Sequence, residues 1–416
     1  MTRRKLLIAI TAIAAALVMG QCYMALESRA RADGGPGNEA RLDDDLTRVL
    51  RQAKFTGRIE DQLERRLGRD LDPDRANLGR LLFFDKILGL NNDNACAGCH
   101  SPTNGFGDTQ SIAIGVENNN VVGPGRRGPR NQRRTPMVLN TAFFPNLMWN
   151  SRFAAVSDDP FDNSDGFIFP PPESRSLSYL PHLLTAQAFI PPTERNEAAG
   201  FDFPGTSSDI RAEVVRRLNQ TPNYRGLFRQ VFRDIGPNEP IIYDHLAAAI
   251  AEFEFTLTFA RAPIDLFARG ERGSMTAAEK RGALLFFGDA ACVSCHAVAG
   301  DANEMFSDFT PHVIGVPQIM PRVSNSTFDG PNQNEDFGLE QITGRKADRY
   351  AFRTSPLRNV ALNAAFFHNG AFTSLEDAIR HHLDVRDSAL KYTPVGRLAP
   401  DLTGPTGPIQ PVLARV

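Results

Sequence analysis

A mostly α-helical fold, made of two related units packed against each other and carrying long irregular loops, is what this sequence predicts. Three observations lead there. Apolar residues recur at helical spacing through the ordered stretches, with no sustained strand alternation. Three sequence blocks occur twice in the same order. Each copy encloses one Cys-x-x-Cys-His pentapeptide, Cys96-Ala97-Gly98-Cys99-His100 and Cys292-Val293-Ser294-Cys295-His296.

The helical pattern covers residues 41–68, 208–219, 242–259, 276–287 and 374–383. The last begins with Thr373-x-x-Glu376, which reads as a capping box. Segments 117–135 and 157–180 are rich in Gly, Pro, Asn and Asp and read as loops. The chain of 416 residues, 42% hydrophobic, suffices for two globular units. Pro263 and the run Gly270–Gly273 place a boundary near 266–275, giving units 34–268 and 269–416 after a leader, 1–33.

The repeats run as follows. Gly79–Phe84 matches Gly282–Phe287 ahead of each pentapeptide; Phe106-x-Asp108 with Ile114-Gly115-Val116 matches Phe306-x-Asp308 with Ile314-Gly315-Val316 after it. Further on, Leu139-Asn140-Thr141-Ala142-Phe143-Phe144 is echoed by Leu362-Asn363-Ala364-Ala365-Phe366-Phe367, which sets Phe372 opposite Trp149, the sole tryptophan.

Cys-x-x-Cys-His is the spacing of covalent haem c attachment: two thioethers hold the porphyrin and the adjacent histidine offers an axial nitrogen. A zinc site would need a second nearby Cys or His cluster. The expectation is therefore two cytochrome-c-like domains with two covalently bound haem c groups, held by Cys96, Cys99 and His100, and by Cys292, Cys295 and His296. The fifth cysteine, Cys22, lies in the leader, so no disulfide framework remains. A net charge of -2 gives no reason to expect nucleic acid. Arg3-Arg4-Lys5 followed by an apolar run to Gly20 reads as an export signal. Cleavage near Ser28–Ala30 and retention as a membrane tether both fit, Cys22 being a weak lipid-attachment site; either way the protein belongs in the periplasm.

The sixth position on each iron decides function. Of eight histidines, two are proximal. Leu375, Ala378, Ile379 and His382 share one helical stripe, making His382 the candidate second ligand of the C-terminal haem, or else an interior packing residue; His381 would point to the rim. His312 and His368 could line the second haem, bond its propionates or merely pack. His182 and His245 read as structural. Between His100 and Leu139 there is no histidine, and the only methionine is Met137, so the first haem is expected to keep an open distal face.

At these residues the chain resembles the bacterial di-haem cytochrome c peroxidase family, including the branch (MauG) that matures methylamine dehydrogenase by oxidising tryptophans. The resemblance covers roughly residues 75–400. It implies that Gln187, Pro191 and Glu197 form the peroxide pocket, Glu194 being the fallback acid and Ala198 a departure from the family's Met. It implies that Trp149, before Ser151-Arg152, is the inter-haem relay, and that Asn131, with carbonyls near Asn363 and Ala365, helps hold a calcium ion. Two departures stand out. The family's Ile-Gly-His segment, whose His caps the resting N-terminal haem in many members, reads Ile114-Gly115-Val116 here. His382 stands where Met or Tyr ligates the second haem. A valine cannot ligate iron, and imidazole in place of thioether lowers a haem's potential. Together they suit an always-open first haem that shares two oxidising equivalents with a low-potential partner.

The resulting expectation is a di-haem peroxidase that reduces hydrogen peroxide and oxidises a small electron-donor protein or a protein substrate. The alternative is a non-catalytic electron-transfer cytochrome with both irons six-coordinate. Arg126, Arg127, Arg130, Arg133 and Arg134 form a basic cluster that could dock an acidic protein, pair with propionates or simply be solvated.

Overall fold

The computed structural model describes residues 36–169, 177–298 and 303–416, so the leader and its tether lie outside the described residues. The main helices are α1 (Pro36–Gln52), α2 (Pro73–Phe84), α3 (Leu183–Gln187), α4 (Ser207–Gln220), α5 (Pro222–Val231), α6 (Tyr243–Phe255), α7 (Pro263–Ala268), α8 (Ala277–Phe287) and α9 (Leu375–Leu383). Strands are few. Asn146–Leu147, Phe153–Ala155 and Phe167–Ile168 form one antiparallel sheet, and Pro311–His312 pairs with Phe352–Arg353.

Local chemistry explains most helix ends. Thr206 and Asp209 close a capping box on α4, and Thr276 and Glu279 do so on α8. In α9 the cap is Ser374, whose hydroxyl accepts from the Asp377 amide, rather than the expected Thr373. The pattern over 41–68 is not one helix. It stops at Gln52, and the chain turns through Lys54 and Gly57, both at positive φ, because buried Glu304 captures the amides of Thr56 and Gly57. Helices α2 and α5 were not foreseen, although both carry Pro at their N-terminus, where its missing N–H costs nothing.

In the first unit α2 crosses α6 at Gly79, where an added Cβ would stand 1.8 Å from the Ala249 carbonyl oxygen. The repeat partner Gly282 has nothing within 4 Å. Gly79→Ala is therefore expected to destabilise the holoprotein by about 1–3 kcal/mol or more, whereas Gly282→Ala should be neutral or stabilise by about 0.5–1 kcal/mol. Denaturant unfolding of the two variants separates these outcomes.

The packing crosses the 268/269 division. Leu46 and Leu50 of α1 bury against Ala283, Leu284 and Phe287 of α8, and Lys280 pairs with Asp43 at 2.6 Å. A buried Arg358–Asp265 pair, with both guanidinium nitrogens bonded at 2.8–2.9 Å, joins α7 to the second unit.

The backbone corrects the third repeat by four residues. Asn140 and Asn359 both adopt left-handed φ, as do Met148 and Phe367, and Ser151 and Gly370. Asparagine tolerates that region where most residues do not, so the turn rather than the Leu-Asn-x-Ala-Phe-Phe echo fixes the register. Trp149 thus corresponds to His368, not Phe372, and Arg134 to Arg353. The two units meet reciprocally there: the Arg134 amide donates to the His368 carbonyl at 2.7 Å, and the Arg353 amide to the Trp149 carbonyl at 2.8 Å.

Candidate active site

A cavity of about 270 Å³ opens beside the first pentapeptide. Its walls bring together Cys96, Cys99, His100, Gln187, Pro191, Glu194, Glu197, Trp149, Arg152 and Asn131. Residues 96–99 form one helical turn that aims both thiols and His100 at the cavity. Gln187 ends α3, Pro191 opens the following turn, and Glu197 sits in a π-type turn, Arg195–Ala199. Such wide turns recur at functional sites because they re-aim one side chain.

That turn is braced from below. Val116 is fully buried and its amide donates to the Asn196 carbonyl at 3.2 Å. Arg126 holds the carbonyls of Ile114 at 2.7 Å and Gly115 at 2.8 Å, and an added Cβ on Gly115 would strike the Asn196 oxygen at 1.9 Å. The segment in which the family's switching histidine would lie is pinned.

Burial and the neighbouring Glu194 push the Glu197 carboxyl up to about 7, against the opposing pull of Arg152. Arg152 in turn pairs with Glu194 at 3.2 Å. A third carboxyl in the same cavity, Glu254, is pushed up to about 8 by burial. Burial pulls the His100 imidazole below its ordinary range, and its Nδ1 hydrogen-bonds the Phe106 carbonyl at 2.9 Å, the arrangement in which Nε2 serves as the ligand. Burial pushes both Cys96 and Cys99 up to about 12, unlike the low-pKa thiols of redox pairs.

The second site repeats this logic. His296 bonds the Phe306 carbonyl through Nδ1 at 3.1 Å, and His382 bonds the Ala378 carbonyl through Nδ1 at 2.8 Å. The two ring centres lie 6.2 Å apart. Imidazoles on opposite sides of one metal, each at about 2.0–2.1 Å, have ring centres on the order of 6 Å apart. Phe367 stacks on His382 at 5.3 Å and fixes its plane. His381 is not at the rim. It is fully buried, with Nδ1 on Ser388 Oγ at 3.0 Å and Nε2 on the Ile314 carbonyl at 2.8 Å, so it has no nitrogen to give.

The sequence profile of the di-haem cytochrome c peroxidase family matches residues 73–273. The chain is 32% identical to the methylamine utilization protein MauG of Methylorubrum extorquens over 75% of its own length and 69% of that protein. The chain belongs to the di-haem cytochrome c peroxidase family. The cytochrome c551 peroxidase of Pseudomonas aeruginosa is 26% identical over 77% of this chain and 75% of that one. Among solved structures, a MauG-like protein associated with microbial copper homeostasis superposes with TM-score 0.54 at 25% identity, covering 75% of this chain and 76% of that one. The diheme peroxidase BthA from Burkholderia thailandensis shares the fold, with TM-score 0.53 at 22% identity over 75% and 72% of the two chains.

As a family member the chain takes two haem c groups, and its residues fit them. Besides the two cysteine pairs and proximal histidines, Arg134 and Arg353 line the first cavity as buried guanidiniums; Arg134 bonds Asn363 Oδ1 and Arg353 the Met148 and Thr354 carbonyls, none of them a carboxylate. Burial holds both at about 10, and Arg134 Nε has no partner. Buried cations without counter-ions are what haem propionates require.

Other expectations fare differently. Of the basic cluster only Arg127 is exposed: Arg126 braces the loop, Arg130 binds Asp401, and Arg133 binds Asp336 through two 2.7 Å bonds. The cluster is neither a docking patch nor a solvated face. Asn131 Oδ1 is buried without a partner, but Asn363 Oδ1 already accepts from Arg134 at 3.0 Å. His182 caps α3 and His245 bonds Asp234 at 2.9 Å, both structural. His312 bonds Asp308 at 2.7 Å. With Cys295 these form the one candidate metal cluster among the described residues, but thioether formation would remove its sulfur as a thiolate. His368 lies flat on Phe352 at 3.5 Å, its Nε2 without a hydrogen bond but 4.0 Å from Asp336. Glu254 and Arg353 were not among the sequence candidates, although a glutamate inside the apolar run of α6 was an available signal; Arg134 is the member of the basic cluster that fits propionate pairing.

Proposed function

We propose that this chain reduces hydrogen peroxide at its N-terminal haem without prior reduction, and shares the oxidising equivalents with a C-terminal haem ligated by His296 and His382. The observation that carries this reading is the first cavity, where Glu197, Gln187 and Pro191 converge with His100; Val116, buried outside its lining and bonded to the Asn196 carbonyl, offers no ligand.

When bound, the haem supplies an iron that can take an oxygen ligand and change oxidation state. The chain's own groups do the rest. A Glu197 carboxylate oxygen takes the proton from one peroxide oxygen and returns it to the other. The Gln187 amide orients the substrate, and Pro191 with Leu184 keeps the pocket narrow and dry. Arg152 balances Glu194, which leaves Glu197 as the acid of that pair that takes up and releases the proton. Trp149, whose indole N–H donates to the Arg134 carbonyl at 2.8 Å, relays electrons between the units. Asn131 Oδ1, buried without a partner, is the oxygen that would help hold a calcium ion, with the carbonyls near Asn363 and Ala365.

The electron source is either a small redox protein or an oxidisable residue on a partner protein; His382 and the pinned segment favour the second. The haem c motifs and the basic-apolar leader support export to the periplasm, the leader being cleaved or kept as a tether. Among the described residues no helix is long and apolar enough to cross a membrane. Hydrogen peroxide added to the diferric protein is expected to change the haem optical spectrum at once. A response only after reduction would contradict the proposal. Turnover with reduced cytochrome c, against a mass shift on a co-expressed partner, decides between the two electron sources.

A further inference from the structure

Tyr350 combines features that packing alone does not explain. It is a bulky residue at φ 64, in the left-handed region that disfavours large side chains. Its phenol is buried and donates to the buried carboxylate of Glu335. Strain of this kind persists only where surrounding structure enforces it, and it concentrates at functional sites.

Its neighbourhood leads to Trp149 along two routes. Three residues after Tyr350, the Arg353 amide donates to the Trp149 carbonyl at 2.8 Å, and three residues of extended chain span at most about 10 Å. Separately, Asn150, next to Trp149, bonds Gln341 at 3.4 Å; Gln341 bonds Asp329 at 2.6 Å; and the Asp329 carbonyl accepts from the Glu335 amide at 3.2 Å. The Phe337 ring centre lies 5.9 Å from that of Tyr350.

We propose that Tyr350 is a redox-active site that takes over an oxidising equivalent from Trp149; this rests on the peroxide reading above, which supplies the oxidant. One electron passes from the phenol to one-electron-oxidised Trp149, restoring the indole. The phenolic O–H bond breaks, and its proton forms a bond to a Glu335 carboxylate oxygen. The products are a neutral tyrosyl radical and a neutral glutamic acid, so charge and atoms balance. Without the adjacent carboxylate, oxidation would leave a phenol cation in a buried site. Burial and Glu335 together push the phenol up to about 12, so it starts protonated and the proton must move with the electron. Tyr224, bonded to Asp85 at 2.7 Å, has the same kind of pair on α5 but no backbone link to Trp149.

The test uses the full di-haem protein made with ring-deuterated tyrosine, mixed with hydrogen peroxide and freeze-quenched for electron paramagnetic resonance. The expected result is an organic radical signal that narrows on tyrosine deuteration. It should be lost in Tyr350→Phe and Glu335→Gln and kept in Tyr224→Phe, with the haem optical response to peroxide retained in all three. A full haem response with a radical signal unaffected by deuteration or by Tyr350→Phe would overturn the assignment alone. No haem response in the unmodified protein would overturn the peroxide reading and the relay with it.

Discussion

Glu197→Gln should slow the reaction of hydrogen peroxide with the diferric protein by about 10²–10⁴-fold, the usual contribution of a positioned acid–base group. The pH profile should identify the group. Glu197 must be ionised to accept the proton, and burial with Glu194 pushes its carboxyl up to about 7. The rate of the unmodified protein should therefore fall as pH drops through about 7, and the slow variant should lack that limb. Glu194→Gln removes the raising charge and frees Arg152 to act on Glu197, so the limb should move to lower pH without a comparable loss at high pH. Stopped-flow optical kinetics across pH reads all three. An unchanged rate in Glu197→Gln would take the acid–base role from this residue.

Replacing His382 should have the largest effect on the second haem. His382→Met substitutes a thioether for imidazole and should raise that haem's midpoint potential by on the order of 100 mV, within the roughly 0.8 V that axial ligation spans. His382→Ala should open the site, so that a ligand such as cyanide binds two haems per chain in place of one. His381→Ala should leave both spectra unchanged while costing about 1–3 kcal/mol of stability, because Ser388 Oγ and the partly buried Ile314 carbonyl lose their partner. Spectroelectrochemical titration distinguishes the neighbours. A potential that moves with His381 and not with His382 would reverse the assignment.

How much was legible in the chain depended on how local the cause was. The cap of α9 falls one residue later than read, at Ser374, and Ile379 and His382 on its stripe are exposed, whereas the Cys-x-x-Cys-His motifs are set by neighbours within one turn and could be read directly. The break after Gln52 could not, because Glu304, some 250 residues on, holds the turning amides. The basic cluster misled for the same reason: the partners of Arg130 and Arg133 are Asp401 and Asp336, far along the chain. The apolar echo at Leu362 outweighed a better signal, Arg134-Thr135 and Asn140 against Arg353-Thr354 and Asn359, since conformation at positive φ leaves little trace in hydrophobicity. Tyr350 was invisible as a functional candidate because only the folded environment makes a strained phenol unusual.

The most direct test of the coordination asymmetry is the electron paramagnetic resonance spectrum of the resting diferric protein. It should be composite: one high-spin ferric centre from the haem at His100, with its distal side open, and one low-spin centre from the haem held between His296 and His382, in equal amounts. A wholly low-spin spectrum, unchanged by peroxide or small ligands, would show both irons closed and contradict the proposal at its root.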